Sequence, residues 1–561
     1  MPTQAPLRGV STMLNGGARF EAMEDPILRD RSRSTSAMAG LFAPLDHLLG
    51  SGGDPRLRID PVRGVNEYGC GLAHCPDILS FASSTATSIS ERAYVSVSRA
   101  REQLMQSAIA DGIEAAFDAR VEAMRDELRA CLGLSPDQAE IVFSPSGTDA
   151  QLQALFLTCA LSGPALTTIV VAADQTGSGT EHTARGHHFN AVTANGNRAR
   201  KGEPIAGLAQ SVENVALGLF AGNGGFRREA ETDSAVLGAV EASIASGRDV
   251  LLQIMDSSKL GWRAPSDRCL DEIVTRWPDR VQIVVDACQM RLGRPRLRKY
   301  LDRGYLVLVT GSKFFTGPAF SGALLVPASL AGQVDRIAEI APGLRDYFSR
   351  SDWPNRWANL RSHFPIRENF GQWLRWEAAL EEIRSYHRVP DGFRRSALAM
   401  FGQGVERIVA SAPSLELLPP QQRHEGAGFD DEELTQPTIF PFVIRQGSRA
   451  LPLAECRTIY RALASDARDA ACATAGDLKI AARLCLIGQP VALSRGSQNP
   501  VAALRISASA RLITQAWSAD EDTARRNLQR QLADVDAIVA KIEWLLAHID
   551  DLNSMEASRG A

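Results

Sequence analysis

Apolar positions along this chain fall into two kinds of run, and the contrast between them predicts the architecture. The segments EIVFS (140–144), TTIVVAA (167–173), DVLLQIMD (249–256), VQIVVDA (281–287) and YLVLVTG (305–311) are continuous apolar stretches without polar alternation. Strands of this kind are covered on both faces, as in a parallel or mixed sheet between helices. Between them lie QLQALFLTCALSG, SAVLGAVEASIASG and SDRCLDEIVTRW, each of the length a parallel crossover helix needs. From Arg99 to Leu134 apolar residues recur at threes and fours, predicting helix. Residues 330–415 are also read as helical, and Trp353, Trp357, Trp373 and Trp376 in that stretch as core or interface residues. A polar patch, PPQQRHEGAGFDDEEL, follows as a loop whose acidic part, 425–434, is a solvated face. QPTIFPFVIR, a helix from Leu453 to Ala473, and ALRISASARLI then predict a smaller α+β unit, and 519–552 an amphipathic helix. The expected division is an N-terminal arm (1–60), a large α/β domain (61–345), a helical linker (346–415), the small α+β domain (416–518) and a C-terminal helix (519–561).

Composition narrows the class. The chain has 561 residues, 45% of them hydrophobic, and its 61 basic and 65 acidic side chains leave a net charge of −4. That is too apolar for a disordered chain. It also lacks the positive excess that nucleic-acid binding needs, so no nucleic-acid partner is expected. The first residues contain no apolar signal region, and no stretch approaches the ~20 apolar residues of a membrane span. Nine scattered cysteines, Cys70, Cys75, Cys131, Cys159, Cys269, Cys288, Cys456, Cys472 and Cys485, read as reduced core residues of a cytoplasmic protein. Cys70, His74 and Cys75 form one small cluster, but no second pair answers them, and no metal site is expected.

Candidate chemistry sits at strand ends. In TGSKFFTGPAFSGALLVP (310–327), Lys313 directly follows an apolar strand among Gly, Ser and Thr. A lysine held close to a core loses its proton readily and can attack a carbonyl. VQIVVDACQM places Asp286 at the end of another strand, with Gln289 just beyond. EIVFSPSGTDAQLQAL runs from a strand through Ser146, Gly147 and Thr148 into a helix, whose exposed N–H groups and dipole suit an anion. Taken singly, each has an ordinary reading: a strand-end surface lysine, an Asp cap, a Ser/Thr cap. Together, anion cradle, acid and lysine follow one another at the carboxyl ends of predicted central strands, where open α/β sheets bind ligands.

The order and wording of these motifs resemble the fold-type I pyridoxal-phosphate enzymes, and within them the class V aminotransferase and cysteine desulfurase branch. The branch pattern S-x-H-K-x-x-G-P-x-G-x-G is similar to Thr310-Gly311-Ser312-Lys313 through Gly317-Pro318 and Gly322, and its Asp-x-x-Gln pair to Asp286 and Gln289. GQPVALSRGSQNPVAALRISASARL resembles the segment ending in that family's substrate-carboxylate arginine, here Arg505. The resemblance spans about residues 60–515. It implies a mostly parallel, seven-stranded-type central sheet sandwiched by helices, with a smaller α+β C-terminal domain. It further implies pyridoxal 5'-phosphate as cofactor, a small amino-acid-like substrate and a homodimer. Lys313 would form the Schiff base and move the α-proton. Asp286 would pair with the pyridine nitrogen, and Gln289 would donate towards the ring 3-oxygen. Ser146, Gly147, Thr148 and Thr310 would hold the phosphate, and Arg505 would grip a carboxylate with its planar fork.

Departures from the pattern matter as much. Ser312 stands where the branch has His before the lysine, and Ile487 where desulfurases carry their nucleophilic cysteine. Cys485 is displaced by two positions into an apolar run, where a thiol is inert, so persulfide chemistry is not expected. After the strand TTIVVAA, DQTGSGTEHTARGHHF offers Thr176, His182, His187 and His188 as groups that can approach the ring, Thr176 and His182 first among them. Ser258, in DSSKLG, takes the place of an Asn near the 3-oxygen, and Ser83–Ser90 falls where relatives meet the substrate carboxylate. The reaction expected is transamination. A β-elimination or C–S lyase reaction is the alternative, and a non-catalytic pyridoxal-phosphate-binding protein the further one.

Overall fold

The computed structural model describes residues 37–553 except 75–76, 164, 209–210, 222–224, 422–433, 435, 469–474 and 495–498. Most of the expected arm (1–36), Cys75, Cys472, the acidic loop 425–433 and the last residues, 554–561, therefore lie outside the described residues.

Thirteen strands among the described residues form two sheets. In chain order they are β1 (Ile78–Phe81), β2 (Ala139–Ser144), β3 (Leu166–Val171), β4 (Val212–Leu217), β5 (Asp249–Met255), β6 (Val281–Asp286), β7 (Leu306–Thr310), β8 (Gly322–Pro327), β9 (Leu415–Leu417), β10 (Ile439–Gln446), β11 (Arg449–Ala450), β12 (Leu484–Ala492) and β13 (Ala502–Ser507). The larger sheet has seven strands in the order β2-β8-β7-β6-β5-β3-β4. Five of them, β7, β6, β5, β3 and β4, pair in parallel, while β8 runs antiparallel to both β2 and β7. The fold is therefore α/β with a mostly parallel seven-stranded sheet, as the sequence pattern and the resemblance imply. The continuous apolar runs are explained by burial: every residue of β2, β3, β7 and β8 is buried, covered by helices on both faces.

Two strands of this sheet escape the apolar-run reading. β4, VENVAL, pairs on one side only, at the sheet edge, and its residues are exposed or half-buried. β8 lies inside the segment that follows Lys313 and begins at Gly322, where an added Cβ would sit 2.3 Å from the carbonyl carbon of Ser146. Only glycine lets β8 lie that close to the turn after β2.

The second sheet has the order β1-β12-β13-β10-β11, with β9 on β10. β1 lies within the span expected for the large domain, yet it pairs with β12 in parallel, Ile78 opposite Leu484 and Phe81 opposite Ile487. The helical stretch 99–134 is two helices, Glu91–Asp111 and Ile113–Leu132, broken at Gly112, whose φ of 84° a side chain would resist. The helix expected from Leu453 ends at Leu463, and the long C-terminal helix runs from Glu521 to Ala547. The four tryptophans named above are at most 2% exposed and belong to the chain's own core. Trp376 and Trp373 stand on the helix Phe370–Arg388. Trp376 donates its indole N–H to Gly322 O (2.9 Å), fastening that helix to the start of β8. No helix among the described residues is long and apolar enough to cross a membrane.

Candidate active site

The carboxyl ends of β2, β5, β6 and β7 open into a cavity of about 610 Å³ that also meets the second sheet. Ser146, Gly147, Thr148, Thr176, Asp286, Gln289, Thr310, Ser312, Lys313 and Arg505 all line it. Residues from both ends of the chain are thus brought to one place by the sheet order. His182 and Ser258 do not line it.

One wall is a helix start. Ser146 caps the helix Gly147–Ser162, accepting from the Asp149 N–H (3.3 Å) and donating to Asp149 Oδ2 (2.5 Å). The next backbone N–H groups, of Gly147 and Thr148, have no partner within the helix by its geometry, and both residues line the cavity. Burial pushes the Asp149 carboxyl up to about 7, against the lowering effect of its bond from Ser146. Thr310, at the end of β7, donates to Cys288 O (2.7 Å). That bond ties the lysine strand to the segment carrying the acid.

Asp286 ends β6 and is 8% exposed; its Oδ1 accepts from the Cys288 N–H (3.1 Å). Gln289 donates its amide to Ser84 O (3.0 Å), which leaves Oε1 as a buried acceptor without a partner. Ser84 Oγ and Thr180 Oγ1 are likewise buried and unpartnered, and all three residues line the cavity. Buried polar atoms seldom go unpaired; a polar ligand in the cavity would satisfy them. Lys313 follows β7 in the segment Gly311–Ser321, which folds back on itself through Gly317 N–H to Gly311 O (2.8 Å) and Gly311 N–H to Ser321 O (2.9 Å). At Gly311 and Gly317 an added Cβ would fall 2.3 and 2.7 Å from the Ala379 Cβ, so these glycines serve the packing of the lysine loop on the helix Phe370–Arg388.

Arg505, on β13, is 1% exposed. It donates to Lys259 O (3.2 Å), Thr85 Oγ1 (3.1 Å) and Gln489 O (2.5 Å), and no carboxylate among the described residues pairs with it. Burial pulls its guanidinium down to about 10, the mark of a cation placed where it lacks a counter-charge. Thr85 belongs to the Ser83–Ser90 segment, of which Ser84, Thr85 and Ala86 reach the cavity.

The remaining expectations separate. Thr176 lines the cavity beside Gly177 and Ser178, its hydroxyl donating to Ala173 O (3.0 Å). His182 sits partly exposed on the short helix Thr180–Thr183, and His187 and His188 bond through Nδ1 to Gly202 O (2.8 Å) and the Tyr347 hydroxyl (2.7 Å). Ser258 Oγ accepts from the N–H groups of Leu260 (3.2 Å) and Trp262 (3.0 Å), holding its own turn. Cys485 is 1% exposed on β12, outside the cavity.

Among the cavity residues not found from sequence are Lys259, Arg56 and Cys288. Lys259 adjoins the singled-out Ser258, and its Nζ donates to Thr176 O (2.7 Å). Arg56 comes from the unmatched N-terminal segment; it is paired with Asp54 (2.5 Å), and its guanidinium lies 5.0 Å from the Phe320 ring centre. Cys288 is the one described cysteine that lines the cavity, and burial followed by the neighbouring Asp286 charge raises its thiol well above the usual range. The only local signal for Lys259 was a lysine one position from a motif residue; nothing local marked Arg56.

No protein-family profile matches the chain, and no curated protein matches it. Among solved structures it is similar to Oryza sativa TDC with PLP and tryptamine, at 14% identity over 83% of this chain and 85% of that one, with a TM-score of 0.45. It is similar to the cysteine desulfurase CsdA from Escherichia coli at 13% identity over 84% of this chain and 95% of that one, also with a TM-score of 0.45. Serine palmitoyltransferase of Sphingomonas wittichii matches at 13% identity over 75% and 77%, with a TM-score of 0.40.

Proposed function

We propose that this protein is a pyridoxal-phosphate-dependent enzyme acting on a small α-amino acid or amino-acid-like compound, and that its reaction is transamination. The observation that carries the reading is the convergence, in one cavity, of Lys313, Asp286, the helix start at Ser146–Thr148 and an unpaired buried arginine, Arg505. The residues present fit the cofactor. The N–H groups of Gly147 and Thr148 and the hydroxyls beside them suit a phosphate, the carboxylate of Asp286 a pyridinium, and the buried Gln289 Oε1, without a partner among the described residues, supports a polar ligand at that wall. When bound, pyridoxal phosphate supplies the electron sink for bonds made and broken at the substrate's α-carbon.

The chain's own residues then divide the work. Arg505 orients the substrate through its carboxylate, a bidentate arrangement that a lysine would not reproduce. Lys313 takes and returns the α-proton from the loop that Gly311 and Gly317 hold in place. Asp286 would pair with the ring nitrogen, its carboxylate held in place by the Cys288 N–H. The raised thiol of Cys288 and the remote, buried Cys485 leave no thiolate nucleophile among the described cavity residues. That supports a reaction without a persulfide step. The acting unit of this proposal is a cytoplasmic homodimer, checked by light scattering of the purified chain.

The test is to load the protein with pyridoxal phosphate, reduce it with borohydride and map the labelled peptide. The label is expected on Lys313. A label on Lys259, the other lysine in the cavity, or no label, would overturn the assignment. Incubation with alanine or cysteine derivatives should then yield keto acid beyond one equivalent per site only when an amino acceptor is present; ammonia or sulfide released without one would replace transamination by elimination.

A further inference from the structure

The cavity holds more positive charge than the proposed reaction uses. Lys313 and Arg505 have roles in it, whereas Lys259 has none. Its Nζ donates to Thr176 O at 2.7 Å. An ammonium has three donors, so two remain for a ligand. Its backbone carbonyl accepts from Arg505 Nη1 (3.2 Å), which sets the two cations side by side in the wall. The charges acting on it are Arg505 and Lys313, which repel its proton, and Asp286 and Asp174, which favour it. Neither acid is at its disposal. Asp286 is assigned to the ring nitrogen, and Asp174 accepts from the N–H groups of Leu219 (3.0 Å) and Phe220 (3.2 Å). The lining also contains Arg56, Arg63, Arg457 and Arg461, against the acids Glu67 and Asp286.

A lysine amine inside a cavity, near an arginine and with no described carboxylate bonded to it, is costly to keep charged. Two things relieve that cost: loss of the proton, or arrival of an anion. Burial, then Arg505 and Lys313, pull its amine down to about 7.

Resting on the pyridoxal-phosphate reading, we propose that Lys259 binds a second anionic group on the substrate, whose α-carboxylate goes to Arg505, so that the substrate class is an amino acid with an acidic side chain. Arg505 alone would serve any amino acid. The pair makes the distal charge the selected feature, because a substrate without it leaves the ammonium unpaired, whereas one with it satisfies two donors.

Dicarboxylates that carry no amine test this without any turnover. Succinate and glutarate, with butyrate as the single-carboxylate control, are titrated calorimetrically into the cofactor-loaded protein in buffers of different ionisation enthalpy. The better-fitting dicarboxylate is expected to bind about tenfold more tightly than butyrate, the size of one charge-assisted hydrogen bond. Its binding should take up protons near pH 7, and more of them than that of butyrate. Lys259→Met should abolish both the preference and the proton uptake, and Lys259→Arg should keep the preference without the uptake. Retention of cofactor absorbance by both variants shows that they are folded. Equal binding of dicarboxylate and butyrate, or a preference that survives in Lys259→Met, overturns the proposal. Failure of the chain to take up pyridoxal phosphate would instead strike the cofactor reading, and the same titrations on the cofactor-free chain would still decide the role of Lys259.

Discussion

Gly147→Ala tests whether the helix start at the cavity is held as tightly as its geometry indicates. A Cβ added at Gly147 would lie 2.6 Å from Cys288 Sγ, 3.4 Å from Thr310 Cγ2 and 3.8 Å from Cys288 Cβ. Comfortable contacts between such atoms begin near ~3.5 Å, so the sulfur must retreat by about 1 Å. It has little room. Cys288 is 7% exposed, its N–H is bonded to Asp286 (3.1 Å) and its carbonyl to the Thr310 hydroxyl (2.7 Å). Overpacking of this kind costs about 1–3 kcal/mol, which corresponds to about 5- to 150-fold weaker pyridoxal-phosphate binding if the strain is carried in the bound state. Cys288→Ala removes the sulfur and leaves Thr310 Cγ2 at 3.4 Å as the nearest neighbour. The double variant should then recover most of the loss, with a coupling of about 1–3 kcal/mol, within the range found for touching residues. The measurements are thermal unfolding of the four cofactor-free proteins and their dissociation constants for pyridoxal phosphate. A double variant as impaired as Gly147→Ala alone would show that the cysteine is not what confines the turn, and the packing argument would fail.

Other expectations follow from the same wall and from the second sheet. The Asp149 carboxyl is raised to about 7 in the folded chain, so the native state binds a proton that the unfolded chain releases near ~4. Stability is lost as pH rises between those values, and Asp149→Asn should stabilise the cofactor-free protein more at about pH 8 than at about pH 5, by up to about 3 kcal/mol. An equal change in melting temperature at both pH values would refute this. Burial pushes the Cys485 thiol up to about 11, and Cys485→Ala should leave turnover within roughly twofold of the parent and sulfur transfer undetectable, since surroundings of this kind make a thiol inert. A large fall in turnover would return the cysteine to the reaction.

Much of the larger sheet was legible because burial on both faces writes an unmistakable local pattern. β2, β3, β5, β6 and β7 match the continuous apolar runs to within a few residues. Strand ends followed by Ser-Gly-Thr, Asp or Lys marked the cavity wall for the same reason: polar residues directly after a buried strand stand where ligands reach an open sheet. What was not legible depends on residues far apart in the chain. The pairing of 78–81 with 484–487 leaves no periodic trace in either segment. β4 is half-exposed at an edge, so its polar positions hide it. Lys259 and Arg56 become cavity residues only through the approach of Thr176 and Phe320, about 80 and more than 260 residues away.

The backbone shows how strongly the folded chain constrains these loops. Four non-glycine residues among those described have positive φ: Ala172 (57°), Met290 (52°), Thr316 (61°) and Phe320 (70°). Each follows a central strand, Ala172 after β3, Met290 after β6, and Thr316 and Phe320 after β7. Such conformations cost about 1–3 kcal/mol apiece and persist only where surrounding bonds over-determine them. Those bonds are present. Ala172 O accepts from Gln175 N (2.8 Å), Met290 N donates to Ala287 O (2.8 Å), and Thr316 N donates to Lys313 O (2.9 Å). The buried guanidinium of Arg375 donates to Phe320 O (2.8 Å) and also to Leu49 O (2.9 Å) and Gly52 O (3.1 Å). The same arginine therefore fixes the far end of the lysine loop and anchors the segment that delivers Arg56 to the cavity. The strained residues after β3, β6 and β7 thus lie in the same segments as Thr176, Gln289 and Lys313, which line one cavity.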